Sequence, residues 1–165
     1  MTVQASFDAS PDRVAAMMAD ERFVAAKVRA SGASGQTVAV VGGPSEAFTV
    51  TTRRQMPTTG IPAQFRSMVG STLEVRQVEA WEAPGAHGRA GTIVVEVTGA
   101  PVRMTGTMRM EGTAGRTTIT FDGDLKASVP LFAGAIEEAT AGAVLAALEA
   151  EERTGAVWLA GTRSE

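Results

Sequence analysis

Apolar residues recur along this chain with two different periods. Residues 2–8 alternate weakly, and Ser10-Pro11 then opens a stretch with apolar side chains every three to four residues. Ser is a good N-cap because its oxygen accepts from a free helical N–H, and Pro fits the first helical position, where its missing N–H costs nothing. A helix is predicted through Val14, Met17 and Met18. Asp20 reads as a second N-cap, for a helix that carries Phe23, Val24 and Val28 and that Gly32 ends. From residue 35 to 127 the period is two, as strands require. Val38 and Val40 share a face, as do Phe48, Val50 and Thr52. Further strands are predicted at Leu73–Trp81, Thr92–Val97, Val102–Met110 and Thr117–Lys126. The links Gly42-Gly43-Pro44, Pro84 to Gly91, Gly99-Ala100-Pro101 and Gly112 to Gly115 are too short for crossovers, so consecutive strands pair antiparallel. Met56 to Gly70 breaks the pattern and reads as a long loop, whose Phe65 and Met68 either cover the core or form a lid. Beyond Pro130, which closes the sheet, one long helix is predicted from Ala133 to Ala160.

The resulting order is β-αα-β6-α, an α+β fold in which a curved antiparallel sheet of six or seven strands surrounds a C-terminal helix. Residues 1–165 form one domain with no repeat. This order resembles the START-like, or SRPBCC, helix-grip superfamily, which includes birch-pollen allergens and polyketide cyclases. Within it the chain looks closest to an uncharacterised actinobacterial family of unknown function. The residues that carry the resemblance begin with Phe7-Asp8-Ala9-Ser10-Pro11-Asp12-Arg13-Val14 and Arg54-Gln55-Met56-Pro57. They continue with Glu79-Ala80-Trp81, Gly99-Ala100-Pro101-Val102 and Gly106-Thr107, then Val129-Pro130-Leu131, Ile136-Glu137, Thr154 and Trp158-Leu159. The resemblance implies a ligand cavity between sheet and helix. It does not imply a reaction, because that cavity serves binding proteins, cyclases, hydrolases and chaperone activators alike.

The residues themselves leave two arrangements open. One face of the final helix carries Ile136, Ala139, Thr140, Ala143, Ala147, Ala150, Thr154 and Trp158, which are mostly small. The strand predicted to face it presents Val102, Met104, Gly106, Met108 and Met110. Long Met against small Ala either interdigitates into a solid core or leaves a gap that a ligand fills. The resemblance favours the gap. Strand alternation predicts Met104, Met108, Val95, Phe121, Ile136 and Val144 buried, and Thr49, Thr118, Thr120 and Asp122 exposed. The candidate ligand-binding residues are Arg54, Glu79, Trp81, Met104, Met108, Thr140, Val144, Ala147 and Glu151.

Glu151 falls on the small, apolar helix face. There it is either partly desolvated, with a raised pKa that suits an acid, a base or a ligand anchor, or left in water where the helix projects past the sheet. Glu137, in the first helical turn, favours the helix dipole. Gln77 and Glu79 share a strand face with Leu73 and Val75, and Arg54 follows Phe48, Val50 and Thr52 inward. An Arg54–Glu79 pair at one end of the cavity is therefore conceivable, and Arg could hold a carboxylate or phosphate bidentately. His87, the only histidine, sits in a Gly-rich hairpin tip and reads as a solvated loop residue. Trp81 and Trp158 read as core or rim aromatics able to stack on a ligand ring.

Composition removes several classes. A net charge of −3 with scattered Arg gives no nucleic-acid surface. Without Cys there are no disulfides, thiolate metal sites or Cys nucleophiles, and a lone His makes a His-based metal site untenable. No metal or other cofactor is expected. No apolar run spans a membrane and no leader is evident, so a cytoplasmic protein is expected. P-loop, dinucleotide, GxSxG and HExxH motifs are absent from the sequence. The expected function is non-enzymatic binding of a small hydrophobic or amphipathic molecule, such as a lipid or polyketide-like compound. A cyclase- or hydrolase-like enzyme using Glu151 or Arg54 and Glu79 is the alternative, and needs two polar side chains meeting in a dry pocket. A protein-interaction module, with a homodimer as one form, is the third reading.

Overall fold

The structure, a computed structural model, describes residues 1–60, 63, 66, 67, 70–128 and 133–162. The expectations for Phe65, Met68 and Val129-Pro130-Leu131 lie outside these residues. The elements are β1 (Thr2–Phe7), α1 (Pro11–Met18), α2 (Glu21–Ala30), β2 (Gly35–Gly42) and β3 (Phe48–Pro57), then a 3-10 turn at Thr58–Gly60. They continue with β4 (Thr72–Trp81), β5 (Arg89–Thr98), β6 (Val102–Gly112), β7 (Thr117–Ala127) and α3 (Ala133–Thr162).

The predicted start signals act as expected. Ser10 Oγ accepts from the Arg13 N–H at 3.3 Å, and Asp20 Oδ1 accepts from the Arg22 N–H at 2.9 Å. Gly32, at φ 94°, takes the left-handed conformation that lets the chain leave α2 without a steric penalty. The strands form one seven-stranded sheet in the order β1-β7-β6-β5-β4-β3-β2, with every neighbour antiparallel. β5 starts earlier than the alternation suggested. A Gly85–Gly88 bridge tightens the hairpin tip, so Arg89 and Ala90 already pair with Met110 and Arg109. Edge donors are also used: the Glu152 carboxylate accepts from Ser6 N on β1, and Glu21 accepts from Val40 N on β2.

The inner face of the sheet is filled unevenly. At one end Phe48, Trp81, Met108, Met110 and Ile119 join Val14, Met17 and Met18 of α1 and Phe23, Val24 and Val28 of α2 in a solid core. The C-terminal half of α3 is seated hard against this core. Gly155 is what permits the approach, since a Cβ there would lie 2.5 Å from Phe7 Cε1. Arg13 adds a hydrogen bond to the Leu159 carbonyl at 3.1 Å. The N-terminal half of α3 is different. From Ala133 to Glu149 no residue is buried; Ala150 is the first.

Met104 and Met108 are buried as predicted, whereas Val95, Phe121, Ile136 and Val144 are only half-buried. Asp122 is exposed, but Thr49, Thr118 and Thr120 are partly covered. For the last two the cause is β1, whose Gln4 Nε2 donates to Thr120 Oγ1 at 3.1 Å and whose Ser6 hydroxyl lies 3.5 Å from that of Thr118.

A cavity with a buried charge cluster as the candidate functional site

Under the loosely seated half of α3 lies a cavity of about 160 Å³. Its walls are apolar along Val75, Ile93, Val95, Met104, Phe121 and Val144. Exposed Met1, Asp122 and Ala143 stand at its rim, so it reaches solvent between α3 and the paired strands β1 and β7. The volume matches an apolar hole of roughly 150 Å³ known to stay dry and to take up benzene.

The other end is polar, and four elements build it. Strand alternation turns Arg54 of β3 and both Gln77 and Glu79 of β4 inward; α2 brings Lys27 and α3 brings Glu151. Lys27 Nζ lies 3.0 Å from Glu151 Oε2 and 3.5 Å from Glu79 Oε1. Gln77 Nε2 donates to Glu79 Oε1 at 2.5 Å, and Arg54 Nη2 donates to Gln77 Oε1 at 3.2 Å. Lys27, Glu79 and Glu151 are 8%, 4% and 7% exposed, which is rare for charged side chains without partners.

Burial sets the proton affinities. Desolvation would lower Lys27, but the carboxylates of Glu151 and Glu79 outweigh it and hold the ammonium above its ordinary value. Burial raises Glu151 above the usual carboxylate range; Lys27 opposes the shift and the negative Glu79 adds to it. Burial lowers Arg54, against the attraction of Glu79 and Glu151. One ammonium shared by two carboxylates thus remains charged, while Glu151 binds a proton more readily than a solvated carboxylate.

Of the residues expected to contact a ligand, Arg54, Glu79, Met104, Thr140, Val144, Ala147 and Glu151 line the cavity. Trp81 and Met108 do not. Trp81 stacks on Phe48 with ring centroids 6.4 Å apart, and Met108 lies in the same solid end of the sheet. The conceived Arg54–Glu79 pair is bridged by Gln77, and among the described residues the cation in ion-pair contact with Glu79 is Lys27. Glu137 accepts from Ala127 N at 3.2 Å, tying the start of α3 to the end of β7. Trp158 meets Phe23 edge-on at 5.8 Å, with the Arg22 guanidinium over its ring, and does not line the cavity. His87 is exposed at the hairpin tip. Lys27 was missed, although its place beside Phe23, Val24 and Val28 on the buried face of α2 was readable from the spacing. Among the described residues no cluster of three or more His, Cys, Asp or Glu could hold a metal, and no helix is long and apolar enough to cross a membrane.

Comparison with known proteins adds the following. The family described as "Protein of unknown function (DUF2505)" matches residues 2–159. No curated protein matches the sequence. TTHA0849 from Thermus thermophilus is similar in structure, with 13% identity and a TM-score of 0.62 over 94% of this chain and 95% of that one. A START superfamily protein from Mycobacterium smegmatis has 12% identity and a TM-score of 0.55, over 92% and 93%. Norcoclaurine synthase from Thalictrum flavum has 12% identity and a TM-score of 0.50, over 93% and 83%. Identities this low show the fold alone, which is the START-like helix grip.

Proposed function

The chain belongs to the DUF2505 family of proteins of unknown function, and we propose that it binds a small hydrophobic or amphipathic molecule, lipid- or polyketide-like in class, between the sheet and α3. The observation that carries this reading is the cavity of about 160 Å³, apolar along its walls and charged at its inner end. Such a site orients a molecule with one oily and one polar part. A ring-sized ligand fits the space as it stands. A longer chain must extend past Ala143 at the rim or lift the N-terminal half of α3, which is held by no buried side chain before Ala150.

Thermal melts against a panel of fatty acids, small aromatics and polyketide-like phenols test this. At a free ligand concentration one hundred times the dissociation constant, binding to the folded state adds about 2.7 kcal/mol. Ala147→Leu should fill the space, abolish that gain and leave the unliganded protein as stable as before or more so. In a solid core the same change would cost roughly 1–3 kcal/mol. Destabilisation by Ala147→Leu with no ligand raising the wild-type melting temperature contradicts the proposal.

One observation favours a second reading. Glu79 and Glu151 converge on one lysine in a largely dry site, which meets the geometric requirement for acid–base catalysis by a cyclase- or hydrolase-like enzyme. The fold does not decide between the two, since one of the similar structures is by name a synthase. Binding is preferred because both carboxylates are already engaged, by Lys27 and by Gln77. Mass spectrometry of a stabilising ligand after long incubation separates the readings: binding returns it unchanged, and catalysis does not.

A further inference from the structure

The charges in the cavity are not equally matched. Lys27 has two carboxylates within ion-pair distance, whereas Arg54 has none among the described residues. Its guanidinium makes one hydrogen bond there, from Nη2 to the neutral Gln77 Oε1 at 3.2 Å. Arg54 Nε is buried and has no acceptor among the described residues. Buried donors are nearly always satisfied, and Arg54, though attracted by Glu79 and Glu151, forms an ion pair with neither. Gln77 is itself committed, because its amide nitrogen donates to Glu79 and fixes its oxygen toward Arg54. The side chain therefore stands in the cavity wall as a held cation with no ion-pair partner among the described residues.

We infer that Arg54 is the anchor for a carboxylate, so that the ligand is a compact apolar acid whose hydrocarbon part lies against Val95, Met104 and Val144. A carboxylate is the group whose two oxygens match adjacent N–H donors of a guanidinium. An ammonium or neutral head group would leave Arg54 without an ion-pair partner in contact. The geometry also explains why Lys27 is not the anchor: its charge is used by Glu79 and Glu151, which would repel an incoming anion at that spot.

This inference rests on the cavity being a ligand site, and the test keeps the two apart. Benzoate, benzyl alcohol and benzylamine share one ring and differ in the head group. Their affinities are measured by calorimetry on the wild type, on Arg54→Met and on Arg54→Lys. The wild type should prefer benzoate to benzyl alcohol by roughly 10- to 100-fold, the worth of a charge-assisted hydrogen bond. Arg54→Met should erase that preference while leaving benzyl alcohol within about twofold, and Arg54→Lys should retain part of it. The wild-type comparison alone decides the matter should Arg54→Met fold poorly. Equal binding of acid and alcohol, or preference for the amine, overturns the carboxylate assignment and leaves the cavity proposal standing. Failure of all three to bind overturns both.

Discussion

Replacing Lys27 by Met should be among the most damaging single changes in this protein. The ammonium is 8% exposed and lies 3.0 Å from Glu151 and 3.5 Å from Glu79. Met fills much the same volume, so the loss is electrical: two buried carboxylates face each other without a cation between them. Removing one partner of a buried pair costs about 3–5 kcal/mol, and here one ammonium serves two anions, so the upper part of that range applies. For a domain of this size each kcal/mol lowers the melting temperature by about 2–4 °C, which gives a drop on the order of 10–20 °C. The cost should depend on pH. Burial already raises Glu151 above the usual carboxylate range, and without Lys27 nothing there opposes that shift except Arg54. A carboxylate whose folded pKa is raised loses stability as pH rises through that value, so the deficit of Lys27→Met should be larger at pH 8 than at pH 5. Glu151→Leu added to Lys27→Met should recover a large part of it, because apolar replacement of a buried pair is often close to neutral. Urea titrations followed by circular dichroism at both pH values measure all of this. A deficit under about 1 kcal/mol at pH 8 would refute the reasoning, since that is the worth of a solvated surface pair.

Three further substitutions follow from the same geometry. With Glu151→Gln as the reference, the wild type should lose relative stability as pH rises above 4.5, the ordinary Glu value, because the folded state holds that proton more tightly. An opposite slope in paired melts would mean that Lys27 dominates Glu151. Within α3, Gly142→Ala meets no atom within 4 Å and should stabilise by about 0.5–1 kcal/mol through helix propensity alone. Gly155→Ala drives a methyl to 2.5 Å from Phe7 and should destabilise by roughly 1–2 kcal/mol despite the same propensity gain. Equal effects of the two in urea titrations would show that α3 is not seated on Phe7.

The parts of this structure legible beforehand are those governed by short-range rules. Ser10 and Asp20 cap helices because a side-chain oxygen two or three residues from an N–H can reach it in any fold. Arg54, Glu79 and Glu151 could be placed on inner faces because strand and helix periods say which way a side chain points. Period says nothing of depth along an element. Trp81 and Met108 share faces with Glu79 and Met104, yet they pack in the core and do not line the cavity. Lys27 escaped for a different reason. A lysine at the buried spacing looks like an interruption of an apolar face, since lysine is almost never buried unpaired, and its partners lie on α3 and β4, far off in the chain. Gly155 likewise acquires meaning only when Phe7 of the first strand comes against it.

The most direct test of an open, ligand-accepting cavity uses the methionines as reporters. Met56 and Met104 line the cavity, whereas Met17, Met18 and Met110 do not. With methionine methyls labelled by carbon-13, NMR titration with benzoate should shift Met56 and Met104 in a saturable manner. Met17, Met18 and Met110 should stay in place. Shifts spread evenly over both groups, or confined to Met17, Met18 and Met110, would put the ligand elsewhere; no shift at saturating benzoate or benzyl alcohol would mean that the space beneath α3 does not take a ligand.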